Sequence, residues 1–189
     1  MNYVTFDIET YSPSESSRID TSELRVTVMG AYFSWLDRYV AFMEKDVKDF
    51  LEILKEAELV VGYNHIWFDL PVLQKYADYD LKQLTNYDIM VEFEKKSGFK
   101  AKLDDLCKSN LGTKKTDTYE KYSKYHKEGR WDLLIDYCLH DVKLTEELFQ
   151  MILAKKEIKY IDALETKQFL LNLPNPEKVN FAMHSDSIF

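Results

Sequence analysis

The sequence predicts an α/β domain, a mixed central sheet flanked by helices. Three observations lead there: three strand-like runs in the N-terminal part, a helical run leading into a short apolar strand, and a long helical pattern late in the chain. A chain of 189 residues, 46% hydrophobic and 14% aromatic, can close one hydrophobic core, so a single domain is expected.

Asn2 to Ile8 alternates and is rich in Tyr, Val, Phe and Ile; with Leu24 to Trp35 and Tyr39 to Met43 it reads as an antiparallel meander. Asp46 to Glu58 carries Val47, Phe50, Leu51 and Leu54 at a helical period and leads into the apolar Leu59 to Tyr63, a strand-helix-strand crossover. Pro71 suits the first turn of a helix running through Leu73 and Tyr76, because its missing N–H has no helical partner there; Asp69 then lies near a helix N-terminus. Asn86 to Met90 is expected to be a last short strand, and Leu103 to Asn110 a helix ended by Gly112. Trp131 to Ile158 is the longest helical pattern, with apolar positions spread too widely for one stripe, as suits a helix packed on a sheet. The expected division is a domain over 1–154 and, over 155–189, a helical extension whose tail from Asn172, with Pro174 and Pro176, is weakly structured or a linker.

Composition removes several function classes. No uninterrupted apolar run is long enough to cross a bilayer. Cys107 and Cys138 lack metal-type spacing, and the N-terminus enters a strand without a basic and then apolar leader pattern, so a reducing cytoplasm is expected. The net charge of −8 is uneven: Lys95 to Arg130 holds eleven Lys or Arg against five Asp or Glu, a local +6 that leaves −14 elsewhere. An acidic cluster that takes cations beside a basic arm that tracks phosphates gives this pattern; a protein that coats DNA would be basic throughout.

Three blocks carry the chemistry: Asp7 and Glu9 in Phe-Asp-Ile-Glu-Thr, Asp69 in Asn-His-Ile-Trp-Phe-Asp, and Tyr137 with Asp141 in Tyr-Cys-Leu-His-Asp. Strand side chains alternate, so Asp7 and Glu9 share a face and can share a metal. Residues four apart on a helix also share a face, which lets Tyr137 and Asp141 converge. Hydrolysis of a phosphodiester needs an activated water and a sink for negative charge, and two hard cations about 4 Å apart supply both. Magnesium or manganese takes oxygen ligands, which suits these acids and not a His or Cys cage.

Taken in order, Phe6-Asp7-Ile8-Glu9-Thr10, Asn64 through Phe68-Asp69, and Tyr137-x-x-x-Asp141 resemble the three exonuclease motifs of the DEDD superfamily, over roughly Met1 to Ala154. The third motif there has either a His five residues before its Asp or a Tyr four before; position 136 is Asp and 137 is Tyr, so the chain resembles the tyrosine subclass. The resemblance implies a ribonuclease H-like fold, two Mg²⁺ or Mn²⁺ ions, and release of nucleoside 5′-monophosphates from the 3′ end of single strands, with DNA favoured, as in the proofreading domains of DNA polymerases. It further implies that Asp7, Glu9 and Asp141 hold one metal, that Asp7 bridges, that Asp69 reaches the second, and that Tyr137 positions the attacking water.

By the same resemblance Asn64 approaches the single strand; Thr10 and Phe68 within the motifs, and Lys114 and Lys115 in the basic stretch, are further candidate substrate contacts. Trp67 and Phe68 also read as core or pocket walls, and His65 and His140 as neighbours of the motifs rather than ligands. Cys138 reads as a small buried apolar residue. Lysines interleaved with Tyr119, Tyr122, Tyr125 and Trp131 either grip phosphates and stack bases or form a solvated helix face with aromatics packed inward. The expected partner is a nucleic-acid 3′ end, with a polymerase, helicase or other replication or repair protein as a second. Each motif alone has a plainer reading: a surface Asp-x-Glu, a helix-capping Asp before proline, a core Tyr beside a solvated Asp. A binding or docking module without turnover, and an endonuclease of the same fold, remain the alternatives.

Overall fold

Alternating β-branched and aromatic residues build the central strand β1 (Tyr3–Tyr11), which pairs antiparallel with β2 (Arg25–Phe33) and parallel with β4 (Leu59–Gly62). Adding β3 (Arg38–Met43) and β5 (Asn86–Asp88) gives a mixed five-stranded sheet in the order β3-β2-β1-β4-β5. The computed structural model describes residues 1–13, 20–113, 119–162 and 165–173; Lys114, Lys115, Pro174 and Pro176 lie outside these, as does the tail after position 173.

Strand alternation splits the core into two layers. Val4, Phe6 and Ile8 pack on one face with Phe50, Leu51 and Leu54 of α1 (Val47–Glu56) and with Leu70 and Leu73 of α2 (Asp69–Leu73). On the other face Tyr3, Leu59 and Val61 meet α3 (Ile89–Ser97), α4 (Leu103–Leu111) and the long α6 (Trp131–Lys155). The short α5 (Tyr119–Lys127) adds a third patch, where Tyr122 packs with Val28, Leu134 and Cys138. The result is an α/β domain, a mixed central sheet flanked by helices, as the sequence predicts.

Two contacts fix α6 on the sheet. The buried Glu146 carboxylate accepts from Tyr3 Oη and Thr5 Oγ1, both at 2.6 Å, and from Gln150 Nε2 at 2.9 Å. At Gly30 of β2, an added Cβ would lie 3.0 Å from Val142, 3.1 Å from Cys138 and 3.2 Å from Leu139, so only glycine admits the helix this closely without displacement. The first contact sets the helix's position along β1 and the second its height above the sheet.

The structure departs from the sequence reading in four places. β1 continues past Ile8 to Tyr11, since β2 pairs with its whole length and takes up one extra residue, Thr27, where the register shifts after Glu9. Ile89 and Met90 open α3 rather than extend β5, because the Asp88 carboxylate caps that helix by accepting from the Met90 and Val91 N–H groups. α6 stops at Lys155, with Lys156 at a left-handed φ of 57°. The expected helical extension is instead a β-hairpin, β6 (Glu157–Ile161) and β7 (Thr166–Leu170), in which Ile158 is fully buried against the helical layer. There Asn110 of α4 donates from Nδ2 to the Lys159 carbonyl and accepts from the Lys159 N–H.

Candidate active site

Row by row along β1, Tyr3 and Thr5 reach Glu146, and Asp7 and Glu9 continue the same face one and two steps on. Asp141, buried, lies just over one turn before Glu146 on α6, with the half-buried Tyr137 a turn earlier still. The third segment arrives from the opposite side of β1. Parallel pairing with β4 covers only Tyr3 to Thr5, and the Ile8 N–H beyond it donates to Asp69 Oδ1 at 3.0 Å. All four acids and Tyr137 line one cleft of about 490 Å³.

The loop that carries Asp69 is held by a residue outside the motifs. Asp88 accepts from the Asn64 N–H at 2.9 Å and the Ile66 N–H at 3.1 Å, besides capping α3. Asn64 sits at φ 64°, a left-handed turn that its short polar side chain tolerates. His65 is fully buried; its Nε2 is 3.0 Å from Asn86 Oδ1 and its Nδ1 3.4 Å from Asp88 Oδ2. Gly62 makes room for that ring, since a Cβ there would come within 2.7 Å of it.

Electrostatics follow from this crowding. Burial pushes the Asp69 carboxyl up to about 7, against the His65 ring and the Ile8 amide, which favour its ionised form. Burial also raises the Cys138 thiol, with Asp7, Glu9 and Asp141 adding to the rise because their charges converge on its sulfur. The Cys138 thiol donates to the Asp7 carbonyl at 3.5 Å. It is thus a buried neighbour of the acids, as its sequence surroundings indicated.

The fold agrees with what comparison finds. Residues 4–153 match the RNase_H_2 family model, described as the RNase_H superfamily. The chain belongs to the RNase H superfamily. A family B DNA polymerase from the hyperthermophilic archaeon Pyrobaculum calidifontis matches it with a TM-score of 0.60 at 19% identity, covering 80% of this chain and 24% of the polymerase. The chain therefore spans about a quarter of that polymerase, and at this identity the likeness is one of fold. No curated protein matches the sequence.

RNase H-like nucleases generally use divalent metals, and the donors here fit a hard cation. Asp7 and Glu9 each offer an oxygen within 4.8 Å of the other and of the Cys138 sulfur, and Asp69 and Asp141 line the same cleft. Magnesium and manganese prefer oxygen to sulfur, so the carboxylates of Asp7, Glu9, Asp69 and Asp141 are the set that fits.

Of the candidate substrate contacts, Asn64 and Phe68 line the cleft. Thr10 does not; its carbonyl accepts from Tyr122 Oη at 2.8 Å. Trp67, read as core or pocket wall, is 63% exposed, because the turn at Asn64 sends His65 inward and leaves Trp67 on the outside. Lys102 and Tyr63 also line the cleft. Lys102 belongs to the basic stretch already visible in the sequence, whereas Gly62, Gly30, Glu146 and the hold of Asp88 on the Asn64 loop carry no local signal, since in each case the partner is set by the fold.

Proposed function

We propose that this protein is a divalent-metal-dependent exonuclease of the DEDD tyrosine subclass, removing nucleoside 5′-monophosphates from the 3′ end of single-stranded nucleic acid, with DNA favoured. The observation that carries this reading is the convergence of Asp7, Glu9, Asp69, Asp141 and Tyr137, from three separate segments, on one cleft. At about 490 Å³ the cleft has room for one terminal nucleotide beside the acids. DNA is favoured as the polymer, with a polymerase, helicase or other replication or repair protein as a second partner.

In this reading Asp7, Glu9 and Asp141 would hold one Mg²⁺ or Mn²⁺, and Asp69 would reach a second. When bound, such ions make a water nucleophilic near neutral pH and absorb charge on the phosphate oxygens. The Tyr137 phenol orients the attacking water. Asn64 and Phe68 wall the terminal nucleotide, and Lys102 offers its charge to a backbone phosphate.

The test is a gel time course with 5′-labelled single-stranded DNA and RNA of one sequence, in Mn²⁺, Mg²⁺ or EDTA, beside Asp7→Ala. A metal-dependent ladder that shortens from the 3′ end, absent in Asp7→Ala, is expected. Near-normal cleavage by that variant would refute the assignment. Internal cuts would indicate an endonuclease, and tight binding with no cleavage in either metal a docking module.

A further inference from the structure

A second surface cavity, of about 410 Å³, opens where β1 passes beneath α5 and the start of α6, and aromatic side chains supply much of its wall. Tyr11 and His126 stack at 5.0 Å with 27° between their planes, and Trp131 meets His126 edge-on at 6.0 Å. Rings connect this cavity to the acidic cleft. Tyr137 lies 5.9 Å from Tyr122, and Tyr122 lies 6.4 Å from His126 at 19°. Tyr11 follows Glu9 by two residues, roughly 7 Å along the strand.

The cavity is held in shape from below. Tyr122, itself buried, donates from Oη to the Thr10 carbonyl and shares a 3.1 Å hydrogen bond with Thr27 Oγ1, the extra residue of β2 at the register shift. Trp131 is 45% exposed at the first position of α6, a large apolar ring left in water. Lys45 stands exposed at the rim. Among the described residues the one acid lining the cavity, Glu44, is already engaged, accepting from Tyr76 Oη and paired with Arg25 at 2.8 Å.

We infer that Tyr11, His126 and Trp131 form a nucleobase subsite that stacks one unpaired base of the strand whose 3′ end lies in the acidic cleft. A preformed set of aromatic faces beside a cation is what single-strand binding requires, because every base offers a flat face and stacking needs no base-edge readout. The subsite is therefore expected to be indifferent to base identity and sensitive to base presence. The inference rests on the exonuclease reading for the direction of the strand, and its test separates the two.

The experiment uses the full chain and single-stranded DNA carrying one abasic position, moved stepwise from the 3′ end. Binding is read by fluorescence anisotropy in EDTA, and KM from cleavage in Mn²⁺. One abasic position is expected to raise Kd and KM about tenfold while its neighbours do little. Trp131→Ala and Tyr11→Ala should weaken binding of the intact strand by a similar factor and erase that positional penalty, with Trp131→Phe restoring it. The wild-type scan needs no variant to fold. A flat abasic profile, or a penalty that survives Trp131→Ala, would overturn the subsite even if cleavage is normal. A positional penalty in binding without cleavage in either metal would uphold the subsite and refute the exonuclease reading.

Discussion

Tyr137 is half-buried in the acid-lined cleft, its ring 5.9 Å from that of Tyr122, so the tyrosine that would serve chemistry is held by a neighbour that serves packing. Removing only the phenol oxygen isolates the first role. Tyr137→Phe is expected to lower kcat about a hundredfold, the scale of losing one positioned proton-handling group, with KM and Mn²⁺ affinity retained. Lost metal binding in calorimetric titration would show instead that the phenol helps to hold the cation. The adjacent Cys138 illustrates the converse: it touches Asp7 yet stays a protonated thiol, because burial and three nearby carboxylates all oppose its ionisation.

At the scale of elements, the site depends on how closely α6 approaches the sheet and on how the Asp69 loop is tied. Gly30→Val would press a branched side chain into Val142, Cys138 and Leu139. It is expected to cost about 1–3 kcal/mol by thermal unfolding and to lower kcat more than the stability loss accounts for, since Asp141 and Tyr137 move with the helix. Unchanged kcat in a folded Gly30→Val protein would mean that the helix tolerates displacement. Asp88 governs the loop. Burial opposes its ionisation, but His65 and the Asn64 and Ile66 amides outweigh burial and hold its carboxyl below the usual range. A value lower in the folded than in the unfolded chain gives stability that is present above about pH 4 and lost as pH falls through the folded value. Asp88→Asn should therefore lower Tm at pH 7, with the gap to wild type closing on acidification. A gap independent of pH would assign the loss to packing rather than charge.

For the whole molecule, the charge divides in space as it does along the chain: the motif acids line the cleft, and Lys102 of the basic stretch stands at its wall. Changing Lys102, Lys114 and Lys115 to Gln should weaken strand binding and flatten its dependence on salt, by about 0.7 in log–log slope for each phosphate no longer neutralised. An unaltered slope would return these lysines to the solvated surface. The β6–β7 hairpin belongs to the same body, since Ile158 and Leu171 are buried with Leu103 and Leu106 of α4. Among the described residues no helix is long and apolar enough to cross a membrane.

Much of this was legible in the chain because the relevant rules are local. Period-two alternation placed Asp7 and Glu9 on one face, a helical turn joined Tyr137 to Asp141, and Pro71 marked the start of the helix that carries Asp69. The hairpin was missed because its short strands follow directly on a long helix, so that Ile158 extends the helical apolar pattern as readily as it begins a strand. What sequence alone could not give is the spacing between segments. Gly30, Gly62, Asp88 and Glu146 are ordinary residues until the fold brings Val142, His65, the Asn64 loop or Thr5 against them. The sequence by itself determined which oxygen donors exist and which face of its element each occupies; only the tertiary structure decided that they meet in one cleft, because that depends on close packing between elements far apart in the chain.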